Sequence, residues 1–166
     1  MRVGLCTLAC PAFALASPAT ADTSEFLTKA LGGDNSEMKL GALAAKQDRS
    51  AQVRKFGAML ERDHRAAKVQ AGSLAARHQV AIPAAMAEEA QAEYAKLEPI
   101  HGPAFDQEFA RHMADDHKKD IADFESKAAS KDPLDVRARA QDIADLAQAF
   151  DHRPVDPLAS RHGAAE

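Results

Sequence analysis

Tryptophan is absent from this 166-residue chain, tyrosine occurs once, and aromatics make up only 5% of it. Valine and isoleucine together number 10. Residues that favour strands are therefore scarce, which excludes a β-sandwich or barrel and argues against an α/β sheet. Cysteine is equally sparse, with Cys6 and Cys10 both inside the first ten residues. No run of one charge sign stands out either. With 28% charged residues and a net charge of −4, the chain is neither a disordered acidic tail nor a basic nucleic-acid binder. Its scattered lysines and arginines and lone Tyr94 offer no stacking platform for bases. Glycine-rich phosphate loops, Gly-x-Ser-x-Gly turns and paired zinc-type histidines are missing as well.

What the chain has is alanine, 38 of its 76 apolar residues. The best helix former dominates, so the expected class is all-α, in one domain. Residues 1–21 read as an export signal: Arg2, an apolar stretch from Val3 to Ala16, and the small-residue triplet Ala19-Thr20-Ala21. The apolar stretch is shorter than the ~20 residues of a membrane span. Cleavage near Ala21 would remove both cysteines and leave a periplasmic or secreted protein of net charge −5, with no disulfide or thiolate chemistry.

Helical periodicity covers nearly all of residues 24–150. The first segment, 24–47, carries Phe26, Ala30, Gly33, Glu37, Leu40 and Ala44 on one stripe, and Gly32-Gly33-Asp34-Asn35 is expected to kink or divide it. Ser50 is placed to cap the second, whose stripe runs Val53, Phe56, Leu60, His64, Ala67, Ala71, Leu74, His78. A short helix over 84–98 follows Ile82-Pro83. Pro103 then suits the first turn of a third long helix with Phe105, Phe109, Met113, His117, Ile121 and Phe124 on one face. A fourth, 134–150, presents Val136, Ala140, Ile143, Ala147 and Phe150. The expected architecture is a four-helix bundle over 22–151 with a short extra helix between helices 2 and 3, followed by a flexible tail, 152–166.

Two segments echo one another. Phe56 to His64 and Phe109 to His117 each place Phe eight residues before His, with a Met between and Asp63 or Asp116 just before the His. Both histidines should therefore point into the bundle beside both phenylalanines. Glu61 precedes His64 at the Glu-x-x-His spacing of bundle metal sites, and Glu37 sits on the first stripe. Ala114 replaces the second such Glu, and the fourth stripe has no His or Glu, which argues against a complete di-iron centre. Glu37, Glu61, His64 and His117 are the candidate ligands of a divalent ion, iron, zinc, copper or manganese. Glu108, His112, Asp115 and Asp116 form a second cluster at 3–4 spacing. The competing reading is two core-edge histidines satisfied by neighbouring carboxylates.

The chain from Glu25 to Ala149 resembles the alanine-rich, ferritin-like bacterial envelope proteins classed as a domain of unknown function and often labelled outer membrane proteins. The resemblance lies in Glu25-Phe26-Leu27, Ser36 to Ala44, Val53 to Leu60 with Asp63-His64, Ile82-Pro83, Gly102 to Asp106, His117 and Phe124-Glu125. It implies a ferritin-like bundle in an exported protein. The family's Leu-Pro and following His in the last helix are absent from Ile143 to Phe150. Nothing recommends a catalytic residue. The first expectation is a non-catalytic binding or stress-related envelope protein, partnered by a second copy of itself or another envelope protein; the alternative is a divalent-metal-binding or metal-dependent redox protein.

Overall fold

The computed structural model describes residues 20–46 and 50–151. The expected export signal, apart from Thr20 and Ala21, and the expected C-terminal tail lie outside the described residues. Five helices follow in order: α1 Ala21–Lys46, α2 Ala51–Arg77, α3 Glu88–Leu97, α4 Gly102–Ala128 and α5 Leu134–Asp151. Thus the fold is all-α, with the short α3 inserted between two longer helices. No described helix is long and apolar enough to cross a membrane.

Local chemistry accounts for several boundaries. The Ser50 side chain accepts a hydrogen bond from Val53 N at 3.2 Å, satisfying one of the unpaired donors at the start of α2. Pro103 occupies the first turn of α4, where a missing N–H costs nothing, and Gly102 ahead of it takes φ +60, a conformation that favours glycine.

α1 and α2 pair as one hairpin and α4 and α5 as another, with two apolar clusters stacked along the bundle. One gathers Leu40, Leu43, Val53, Leu60, Leu97, Phe105, Phe109 and Met113. Within it Phe105 stacks on Phe109 at 5.4 Å between ring centroids, and Phe56 meets Phe109 edge-on at 6.0 Å. Burial of each large side chain contributes about 1.5–3 kcal/mol. The other cluster holds Leu27, Leu31, Ala71, Leu74, Ala75 and Val136. Positions 34–37 of α1, 64–67 of α2 and 116–120 of α4 fall between the two clusters, and there the interior turns polar.

α1 is not divided at Gly32-Gly33-Asp34-Asn35; it runs unbroken through them. The polar residues that read as a turn are buried and have partners across the bundle. Asn35 Nδ2 donates to the carbonyls of Pro83 and Ala85 at 2.9 and 2.8 Å. Ser36 Oγ donates to Gly32 O at 2.8 Å and accepts from Ala87 N at 3.0 Å. The same contacts hold residues 83–87 out of helical geometry, so α3 begins at Glu88 rather than at residue 84. Tertiary hydrogen bonds override local propensity on both sides of this junction.

Candidate metal centre

The i, i+8 spacing of Phe and His has its expected result. α2 and α4 bring their Phe56 and Phe109 rings together, and two turns further along each helix the histidines converge. Glu37 of α1, His64 of α2 and His117 of α4 each offer one ligand atom, and these atoms all lie within 4.8 Å of one another. Glu37 is 3% exposed, and neither of its carboxylate oxygens receives a hydrogen bond from a donor group; the side chain within hydrogen-bonding reach is another carboxyl, Asp116. Asp34, Asn35 and Ser36 beside Glu37 on α1, by contrast, each take part in side-chain hydrogen bonds.

His64 is oriented from behind. Its Nδ1 lies 2.9 Å from Asp34 Oδ1, and Asp34 is only 8% exposed. A carboxylate can only accept, so Nδ1 carries the proton in this bond and Nε2 keeps the lone pair in the neutral ring. This arrangement of carboxylate behind histidine is the one that fixes ring orientation and tautomer in metal sites.

The electrostatics of the layer follow from burial and from an excess of carboxylates. Burial pushes the Glu37 carboxyl up to about 8; the His64 charge opposes this, and Asp116 and Asp120 reinforce it. His64 is raised although burial pulls it down, because the Asp34 hydrogen bond and the Glu37 charge outweigh desolvation. Asp120 is pushed up to about 6 by burial and by Asp116, against the pull of Lys29. All three groups bind a proton more tightly than they would in water, and a bound cation would meet the same electrostatic need.

A cavity of about 140 Å³ opens beside Glu37 and His64, lined also by Asp34, His112, Asp116, Asp120 and Arg139. Arg139 reaches across from α5, donating to Gln70 Oε1 at 2.6 Å and Ala67 O at 3.3 Å; burial lowers its pKa, opposed by Asp34 and Asp142.

Among the four candidate ligands from sequence, Glu61 does not join the group. It lies on the flank of α2, where it pairs with Arg65 one turn on at 2.6 Å. The second cluster is divided in the same way. Glu108 faces Arg111 and Lys96, which hold its carboxyl down at about 2, and Asp115 takes Arg111 at 3.2 Å. His112 and Asp116 turn instead to the cavity. Sequence reasoning missed Asp34, Asp120 and Arg139. Asp34 was hidden by its place in an apparent turn, whereas Asp120 had a usable signal, lying three residues beyond His117 on α4.

An imidazole–carboxylate set with no thiolate suits a divalent ion such as zinc, iron, manganese or copper. No match is found among curated proteins. A similar solved structure is the crystal structure of a DUF305 fragment from Deinococcus radiodurans, at 18% identity and TM-score 0.70, covering 81% of this chain and 93% of that one. This likeness is one of fold. Residues 8–152 match the family model described as a domain of unknown function, DUF4142, and the chain belongs to that family.

Proposed function

We propose that the chain is an exported protein whose four long helices form a ferritin-like bundle holding one divalent metal ion through Glu37, His64 and His117. The observation that carries this reading is the buried Glu37 carboxylate, with no hydrogen-bond donor at either oxygen, within 4.8 Å of ligand atoms on two histidines from different helices. An isolated buried carboxylate is costly unless paired or coordinated to metal, and two imidazoles beside it complete three ligands of a borderline cation. Asp34 supports the reading by holding His64 from its far nitrogen. Bound metal would supply charge neutralisation of the polar layer and a Lewis-acidic centre. Export is supported by Arg2, the apolar stretch Val3–Ala16 and Ala19-Thr20-Ala21.

Metal analysis after equilibrium dialysis of the stripped protein against zinc, iron(II), manganese and copper tests the reading. The expected result is one ion per chain, with a metal-dependent rise in Tm that His64→Ala and His117→Ala each abolish. Well under one ion per chain for all four metals would overturn it.

A further inference from the structure

Seven buried side-chain nitrogen or oxygen atoms among the described residues lack a hydrogen-bond partner. Four of the seven, Glu37 Oε1 and Oε2, His112 Nε2 and Arg139 Nε, belong to residues that line the cavity beside the candidate metal centre. Buried polar atoms are normally paired, and a cluster of orphans around one space points to something that fills it. The carboxylate oxygens call for a cation. Arg139 Nε–H is a donor only and calls for an acceptor. The other cations lining the cavity are already engaged: Lys29 faces Asp123, and Lys119 lies 4.0 Å from Glu89.

The ligand count points the same way. The group within mutual reach of an ion comprises three residues, whereas zinc or cobalt takes at least four ligands. Asp116 and Asp120 line the cavity but stand outside that group. A volume of about 140 Å³ has room for several water-sized ligands. With Glu37 the one anionic ligand of the three, a bound dication keeps one unit of charge at the ion, for which Asp116 and Asp120 across the cavity compete with any added anion.

Resting on the metal reading above, we infer that the ion keeps an open coordination position toward this cavity and takes there a small monoanion, of the size of azide or formate, which accepts a hydrogen bond from Arg139 Nε–H. His112 stands by as a second hydrogen-bonding group. The site is then a receptor for a metal-bound small anion and not a closed structural metal site.

Cobalt(II)-loaded full chain titrated with azide tests this, read by the visible absorption of the cobalt. The expected result is a saturable spectral change. Arg139→Gln should weaken azide binding by about tenfold or more while leaving cobalt affinity within about threefold, because a charge-assisted hydrogen bond to the anion is lost and no metal ligand is. Bound cobalt whose spectrum ignores azide would overturn the inference, showing that Asp116, Asp120 or another protein group closes the coordination. Equal azide affinity in wild type and Arg139→Gln would likewise overturn it. Should Arg139→Gln fail to fold, the wild-type titration decides alone. Failure of the wild type to bind cobalt would overturn the metal reading itself, an outcome distinct from cobalt that binds and stays silent to azide.

Discussion

Gly41 and Gly57 meet backbone to backbone where α1 crosses α2. A Cβ on Gly41 would stand 2.7 Å from the Gly57 carbonyl oxygen, and one on Gly57 would stand 2.6 Å from the Gly41 carbonyl oxygen. Neither oxygen can swing away, since both belong to helix backbone. The contact therefore sets the separation of the two helices, one turn from Glu37 and two turns from His64.

Gly57→Ala should force the hairpin apart and destabilise the protein by about 1–3 kcal/mol, in the range of overpacking at a tight contact. Urea unfolding measures this. Because the same crossing spaces Glu37 from His64, the variant should also weaken metal binding; Gly33→Ala, whose added Cβ meets nothing within 4 Å, is the control that should not destabilise.

Glu37→Gln should move stability in opposite directions with and without metal. In the metal-free protein it removes a carboxyl that burial holds protonated up to about pH 8, and stability at neutral pH should rise by on the order of 2 kcal/mol. In metal it removes the anionic ligand, so affinity should fall by about tenfold or more. Thermal unfolding with and without zinc reads both signs. A fall in metal-free stability would mean that the protonated Glu37 carboxyl stabilises the fold through its hydrogen bond with Asp116.

Asp34→Asn should cost about 10–100-fold in metal affinity, the usual effect of removing the carboxylate behind a ligating histidine. The helix should persist, since Asn can still accept from His64 Nδ1–H. Nitrogen-15 chemical shifts of His64 separate a positioning role from a general packing defect: wild type should show the Nδ1–H tautomer, and Asp34→Ala a mixture.

Asp132 governs an acid-sensitive contact between the start of α1 and the end of α4. It accepts from Thr23 Oγ1 at 2.6 Å, Ser130 Oγ at 2.6 Å and Lys127 Nζ at 2.8 Å. Lys127, Ser130 and Thr23 together hold its carboxyl at about 2, below the unfolded value of 3.8. The folded pKa is depressed, so the stabilisation is complete above pH 4 and is lost as pH falls from there through about 2. Asp132→Asn should lower stability at neutral pH by about 1–3 kcal/mol and flatten the acid limb of a Tm-against-pH curve. An unchanged acid limb would remove Asp132 from this role.

Much of this was legible in one-dimensional form. The helix count, the Ser50 cap, Pro103 at the start of α4 and the inward direction of His64 and His117 follow from composition, capping chemistry and the 3.6-residue period. The exceptions share one cause. Gly32-Gly33-Asp34-Asn35 looked like a break because its polar residues had no visible partners within α1, and those partners, Pro83, Ala85 and His64, lie elsewhere in the chain.

Helical periodicity selects a face, and a face is wide enough to carry both Glu37 and Glu61 toward a candidate site. Only the packing of α1 on α2 separated them, burying Glu37 beside two histidines and leaving Glu61 to Arg65. All-helical class and inward histidines thus belong to the chain's own order of residues, because they depend on contacts a few positions apart. The three-residue centre, its Asp34 support and its cavity depend on inter-helix register, which close contacts such as Gly41 against Gly57 set and which no local pattern encodes.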